Sequence, residues 1–283
     1  MMAVWKVVPA IAAGNTVVLK PAETTPATSV MLGRLALEVF PPGVVNVLLG
    51  DRETGRKLVE HPRPAMVSLT GSTRAGVDVM RSAAATLKKV HLELGGKAPA
   101  VVFADADLEH AAQQIAEGAF WNAGQSCTAE TRVLVEEAAR ERFTELLVRE
   151  ARRLKAGPPS DPGAFCGPLI TRQQFERVSG FLDRLPAHAR VLTGGAAGGA
   201  GGGGFFLEPT VIDGVLPTDE VVVEEVFGPV LTVQGFGRES EAVSMANATP
   251  YGLASSVWTR DQGRSARLAA QIEAGTGWVY CTQ

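Results

Sequence analysis

The 283-residue sequence predicts an α/β protein organised around a doubly wound, mostly parallel sheet. Three observations predict it. Short β-branched runs alternate with longer amphipathic stretches, several of those stretches open on helix-capping residues, and a composition of 46% hydrophobic and 20% charged residues suits a globular core.

Taken in order, Thr16 to Lys20 reads as a strand. Thr25-Pro26 then offers an N-cap with proline at the first helical position, and Val30, Leu35 and Val39 follow near helical spacing. Val44 to Leu49 and Met66 to Thr70 read as strands, with Asp51 and Ser72 placed to cap the helices after them, and Lys89 to Leu94 closes the series. Strands separated by helices imply a sheet covered on both faces, so the first third reads as a Rossmann-like domain. A second series opens at Ala100 to Phe103, with helices near Leu108 to Asn122 and Ala138 to Lys155 around a strand from Thr131 to Val135. Gly157 to Pro168 reads as a loop. Gly194 to Gly204, nearly all glycine and alanine, reads as a flexible surface loop. A GxGxxG match beginning at Gly199 is compositional, because no strand feeds it and no helix opens from it.

The net charge of -3 supplies no footprint for nucleic acid or an anionic membrane. No run reaches the roughly 18 apolar residues that span a bilayer. The first twenty residues mimic a signal peptide only faintly, since Lys6 interrupts the apolar stretch. Cys127, Cys166 and Cys281 are far apart and odd in number, which argues against a disulfide framework and for a reducing, cytoplasmic setting. His61, His91, His110 and His188 are scattered, and no metal site is expected.

Two stretches carry chemistry. In Gly124-Gln125-Ser126-Cys127-Thr128 the cysteine stands in a polar, glycine-containing turn between a helix and a strand, where a thiol is accessible. Read alone it is a buried small hydrophobe or a nucleophile; Ser126 in a GxSxG elbow is a weaker alternative, because position 128 is Thr. In His91-Leu92-Glu93-Leu94-Gly95-Gly96-Lys97 a strand ends in a diglycine and sets Glu93 at the carboxyl edge of the sheet, where ligands of open α/β sheets bind. It is a solvated carboxylate or, in a partly dry cleft, a general base. Lys20-Pro21-Ala22-Glu23 and Thr70-Gly71-Ser72 end two further strands. The second opens a helix whose N-terminus suits phosphate, and Glu23 suits a ribose diol while repelling a 2'-phosphate, favouring NAD over NADP.

Together AGNTVVLKPAE, LTGST, LELGGK, GQSC and EEVFGPV, in this order, resemble the aldehyde dehydrogenase superfamily over essentially the whole chain. The wording of the first 23 residues and of HPRPAMVSLTGSTRAG is closest to members acting on amino-aldehydes, the aminobutyraldehyde and betaine-aldehyde dehydrogenases. The resemblance implies an NAD-binding domain over 1–94, a catalytic domain over 95–276 and the start of a return segment over 277–283. It implies Cys127 as nucleophile and Glu93 as general base. Lys20 and Glu23 then contact the adenosine ribose, Gly71 and Ser72 lie by the pyrophosphate, Glu225 holds the nicotinamide ribose and Phe227 packs beside the nicotinamide. Without it Glu225 is a solvated charge and Phe227 core. Thiolate addition, hydride loss and hydrolysis of a Cys127 thioester would convert the aldehyde to an acid.

The same resemblance implies a fragment. The family's oxyanion asparagine and a central strand of the cofactor sheet precede the stretch matching Met1, and a carboxy-terminal tail with its oligomerisation strand follows the return strand, in which Tyr280 replaces an asparagine. A homo-oligomer is expected only of a full-length parent, little activity of this chain alone, and a gap in the core where the strand is missing. The alternatives at this stage are an inactive remnant that binds NAD or homologous subunits, and a cofactor-independent thiol esterase at Cys127.

Overall fold

The computed structural model describes residues 1–196, 198 and 204–280; the GxGxxG match at Gly199 and Cys281 lie outside them. The chain divides into two compact units, Met1–Leu94 and Gly95–Gln283.

The first unit runs α1 (Met2–Ala12), β1 (Val17–Leu19), α2 (Ala27–Val39), β2 (Val45–Val47), α3 (Arg52–Glu60), β3 (Met66–Thr70), α4 (Thr73–Ala84) and β4 (Lys89–Glu93). Asp51 caps α3 by accepting from Glu53 N and Thr54 N, and Ser72 caps α4 by accepting from Ala75 N. The start of α2 is corrected: Pro26, not Thr25, holds the cap position, and no side chain caps this helix. The Thr25 amide is instead committed to the Ala22 carbonyl in the preceding turn. The opening residues form the helix α1, which their apolar character did not reveal.

The four strands form two parallel pairs, β1 with β2 and β3 with β4, that do not hydrogen-bond to each other. The hydrophobic residues buried in this unit are Val7, Val45 and Ala83, while Val18, Met31, Leu35, Leu37, Val39, Leu49, Met66 and Met80 are exposed. With each full apolar burial worth about 1.5–3 kcal/mol, this unit draws little stability from a core.

The second unit contains β5 (Pro99–Val102), α5 (Leu108–Phe120), β6 (Arg132–Glu136), α6 (Arg140–Arg153), α7 (Arg172–Asp183), β7 (Arg190–Thr193), β8 (Thr210–Asp213), α8 (Glu220–Val223), β9 (Val230–Phe236), α9 (Glu239–Ala246), β10 (Ala254–Trp258), α10 (Gln262–Gln271) and β11 (Thr276–Val279). Its seven-stranded sheet has the order β11-β10-β5-β6-β9-β8-β7, parallel except where β7 meets β8. Alternation along the strands divides the core. Ala100, Val102, Val133 and Val135 pack with α5 and α6 residues such as Ile115, Phe120, Phe143 and Leu147. Val101 and Leu134 point the other way, to Phe236, Ala242, Leu268 and Ile272. β5, β8 and β10 are buried at every residue, as a parallel sheet covered on both faces requires. Gly157 to Pro168 forms no helix or strand, only a bridge of Ala156 to Cys166.

Candidate active site

The thiol of Cys127 sits on a turn that the sequence must force. After α5 the backbone turns left-handed at three successive residues, Asn122 (φ 53), Ala123 (φ 57) and Gly124 (φ 68). Two of these are not glycine, at a cost of about 1–2 kcal/mol each. A reciprocal pair offsets it: Asn122 Nδ2 donates to Gln125 O (3.0 Å), and Gln125 Nε2 donates to Asn122 O (3.1 Å). Gln125 Oε1 also accepts from Ile170 N at 2.9 Å, tying the turn to the next loop. Beyond it, Ala129 N donates to Ser126 O (3.2 Å), closing a turn around Cys127, while the Ser126 and Thr128 hydroxyls lie 3.1 Å apart. Cys127 is half-buried. The other described cysteine, Cys166, is buried, and burial pushes its thiol up to about 11, so it is the inert one.

Backbone approaches that only glycine permits bring two more loops to this turn. A Cβ at Gly96 would fall 2.1 Å from the Cys127 carbonyl oxygen, and one at Gly124 would fall 2.1 Å from the Gly228 carbonyl oxygen. The diglycine therefore lies against the cysteine turn at Cys127, and the loop of Gly228 lies against it at Gly124. Gly96 N donates to Glu225 Oε1 at 3.0 Å, and a Cβ on Gly95 would meet Glu225 Oε2 at 2.3 Å. Cys127, Gly95, Gly96 and Glu225 thus belong to one cluster in the second unit. Burial raises the Glu225 carboxyl above its ordinary range against the pull of the Gly96 amide, Arg177 and Lys97.

Phe227 is half-buried with a left-handed backbone (φ 55). Two residues of α7, one helical turn apart, hold this strained segment. Gln174 Nε2 donates to Val226 O (3.2 Å) and Phe227 O (2.7 Å), and Arg177 Nη2 donates to Glu225 O (2.6 Å). The Tyr251 hydroxyl accepts from Glu225 N at 3.4 Å.

Behind the cluster lie three buried charges. Arg132 donates to Lys97 O (3.0 Å), Met245 O (2.8 Å) and Ala246 O (2.7 Å), stapling the residue after the diglycine and the last turn of α9 onto β6. Burial lowers its guanidinium to about 10. Lys97 falls to about 7, first by burial and then by the charge of Arg132. Burial raises Glu130 to about 8 against the pull of the Ser256 hydroxyl, which accepts from Trp258 Nε1 (2.8 Å) and still has its own proton to give.

In the first unit Glu93 ends β4 opposite Thr70, and its carbonyl accepts from Gly71 N at 3.0 Å. Its side chain is about one-third exposed, 35%, and its Oε1 lies 3.2 Å from His91 Nε2. Lys20 follows β1 and donates to Pro21 O (2.8 Å) and Gly50 O (3.0 Å), with Glu23 Oε2 4.0 Å from its Nζ. Gly71 and Ser72 form the β3–α4 corner, and the first turn of α4 carries no acidic residue.

Gln174, Arg177, Arg132 and Tyr251 were not foreseen. Gln174 and Arg177 look like any exposed helical pair, and an Arg in a strand gives no sign that it will be buried. Among the described residues no three His, Cys, Asp or Glu gather to hold a metal, and no helix is long and apolar enough to cross a membrane.

The sequence matches the aldehyde dehydrogenase family over residues 1–283, and the chain belongs to that family. It is 42% identical to the chloroplastic betaine aldehyde dehydrogenase of Amaranthus hypochondriacus and 41% identical to the peroxisomal aminoaldehyde dehydrogenase 2 of Malus domestica, covering all of this chain and 57% of each relative. The chain thus spans somewhat over half the length of these relatives, which occupy different compartments. Among solved structures, an NAD-dependent aldehyde dehydrogenase from Sinorhizobium meliloti superposes with a TM-score of 0.97 at 40% identity, over 100% of this chain and 56% of that one. Betaine aldehyde dehydrogenase from Staphylococcus aureus, in complex with NAD+, superposes with a TM-score of 0.96 at 36% identity, over 99% and 57%. The α/β aldehyde dehydrogenase fold read from the sequence is the fold of these neighbours.

Proposed function

We propose that this chain carries the machinery of an NAD-dependent aldehyde dehydrogenase that oxidises an aldehyde, of the amino-aldehyde or betaine-aldehyde class, to a carboxylic acid, with Cys127 as nucleophile. The observation that carries the reading is the packing of the Cys127 turn against Gly96 and Gly228, which sets the backbone of Cys127 beside the diglycine and its turn beside the loop that follows Glu225. The names of the relatives support the reaction and the substrate class, and the NAD+ held by a structural neighbour supports the cofactor.

The residues fit a dinucleotide. The Gly96 amide uses one of the acceptor positions of Glu225, and a carboxylate has about four, which leaves capacity for a ribose diol. An acid-free first turn on α4 accepts phosphate without like-charge repulsion. Lys20, Glu23, Gly71 and Ser72 would hold the adenosine and pyrophosphate end, and Glu225 and Phe227 the nicotinamide end. NAD, when bound, supplies the hydride acceptor.

The protein's part begins with the thiolate of Cys127. Its sulfur bonds the aldehyde carbon to give a thiohemiacetal, and loss of hydride from that carbon leaves a thioester on Cys127. Glu93 takes a proton from water, the water oxygen bonds the thioester carbon, and the C–S bond breaks to release the acid and restore the thiolate. Cys127 needs a reducing compartment, the cytoplasm in the first instance. The relatives favour neither the remnant nor the esterase.

The test is adduct formation. Betaine aldehyde with NAD should give a covalent adduct that peptide mass spectrometry places on Cys127, with little NADH from this chain alone, and Cys127→Ala should give neither. An adduct on Cys166, or NADH formation unchanged in Cys127→Ala, overturns the reading.

A further inference from the structure

Three side chains of the first unit line up on Glu93, and the reaction above uses none of them. Lys6 Nζ, on α1, donates to Ser68 Oγ at 2.8 Å. Ser68 Oγ lies 2.8 Å from His91 Nδ1, and His91 Nε2 lies 3.2 Å from Glu93 Oε1. Strand geometry brings them together: Ser68 and His91 are register partners on β3 and β4, and His91 and Glu93, two residues apart, share one face of β4.

A carboxylate only accepts, so the tautomer that can serve Glu93 Oε1, 3.2 Å away, carries its proton on Nε2. In that tautomer Ser68 Oγ accepts from Lys6 and donates to His91 Nδ1. Lys6 feels both ends of this row: partial burial lowers its ammonium, and the charge of Glu93 opposes that shift. The groups facing the imidazole are then Lys6 from α1, Ser68 from β3 and Glu93 from β4, with Lys89 two residues back on the same face of β4.

We propose that His91 is a positioning residue for Glu93: its Nε2 proton holds Oε1 of the carboxylate and leaves Oε2 to meet the attacking water, while Ser68 and Lys6 hold the ring in that tautomer. This rests on the reading of Glu93 as general base. A carboxylate at a strand end has several rotamers, and a ring pinned at both nitrogens selects one.

Two measurements on the full chain test this. In the first, the ring nitrogen resonances of His91, assigned by their loss in His91→Gln, are compared at one pH in the wild type and in Glu93→Gln; the Nε2 resonance should shift when the carboxylate is replaced. An unmoved resonance shows that ring and carboxylate do not interact in solution and overturns the proposal. In the second, Cys127 is acylated with p-nitrophenyl acetate and its deacylation followed from about pH 5 to 9. Glu93→Gln should slow deacylation, and His91→Leu should slow it about tenfold and change the shape of its pH profile. His91→Gln, which keeps a donor that does not titrate, should recover rate but not the profile. Should Glu93→Gln deacylate like the wild type, the base reading fails and the positioning role with it. Should Glu93→Gln be slow while His91→Leu follows the wild type at every pH, only the positioning role fails.

Discussion

Gly96 lies so close to Cys127 that a Cβ on it would stand 2.1 Å from the cysteine carbonyl oxygen, with the Leu253 Cβ 3.4 Å away on another side. The contact is with backbone, so no side chain can swing aside to relieve it. Gly96→Ala should lower stability by about 1–3 kcal/mol, the usual range for an overpacked site, and should displace the Cys127 turn. Thermal melts and the rate of Cys127 alkylation by iodoacetamide check both effects; an alkylation rate equal to the wild type would show that the turn does not depend on this approach.

Gln174 is the support of Phe227, whose φ of 55 is held by amide bonds to its own carbonyl and to that of Val226. With the amide gone, the strained segment can relax. Gln174→Ala should weaken NAD binding about tenfold, equivalent to about 1.4 kcal/mol, with a smaller effect on the melting temperature. Isothermal titration calorimetry gives the affinity. A large loss of stability with unchanged affinity would assign Gln174 to packing alone.

Arg132 spends its guanidinium on three carbonyls. Arg132→Met keeps the aliphatic volume but orphans these acceptors, and should cost about 3–5 kcal/mol. Arg132→Lys, reaching fewer of them, should fall between. Denaturant melts rank the three proteins, and a methionine variant as stable as the wild type would exclude the staple.

Glu130 sets a pH dependence whose sign can be worked out. Its carboxyl is raised to about 8 when folded, against an ordinary 4.5, so the folded state binds more protons between these values. Its contribution is complete below about pH 4.5 and is lost as pH rises through about 8. Glu130→Gln, neutral throughout, should remove this slope and gain on the wild type at high pH by an amount on the order of a few kcal/mol. Urea melts at several pH values measure the difference; parallel curves for the two proteins would rule it out.

The uneven burial of the two units predicts uneven protection. Amides of β5, β6 and β9, in the buried sheet, should exchange far more slowly than those of β1 to β4, whose unit buries only Val7, Val45 and Ala83 as hydrophobic core. Hydrogen exchange read by mass spectrometry checks this directly, and equal protection would mean that the first unit draws stability from another source.

Local signals made much of this protein legible. β3 was expected at Met66–Thr70 and lies there, because a short run with Val67, Leu69 and Thr70 between turn residues favours a strand. Asp51 and Ser72 cap their helices because capping needs only a side-chain oxygen within reach of the next turn. The cysteine turn was likewise marked by Gly124 and its polar neighbours, and the motif order named the family.

What only tertiary structure decided are relations between distant segments, which no local pattern encodes. The pairing of β1 with β2 and β3 with β4 as separate sheets depends on which strand lies beside which. Burial of Arg132 depends on α9 closing over β6, with the α9 acceptors more than a hundred residues away in the chain. The same holds at the site this chain was first read for. The sequence by itself determined that Cys127 stands in an accessible turn of an aldehyde dehydrogenase pattern. That the turn is wedged between Gly96 and Gly228, and that Glu93 is met by His91, follow from strand register and backbone packing, because hydrogen bonds and close approaches are set by position in space and not by spacing along the chain.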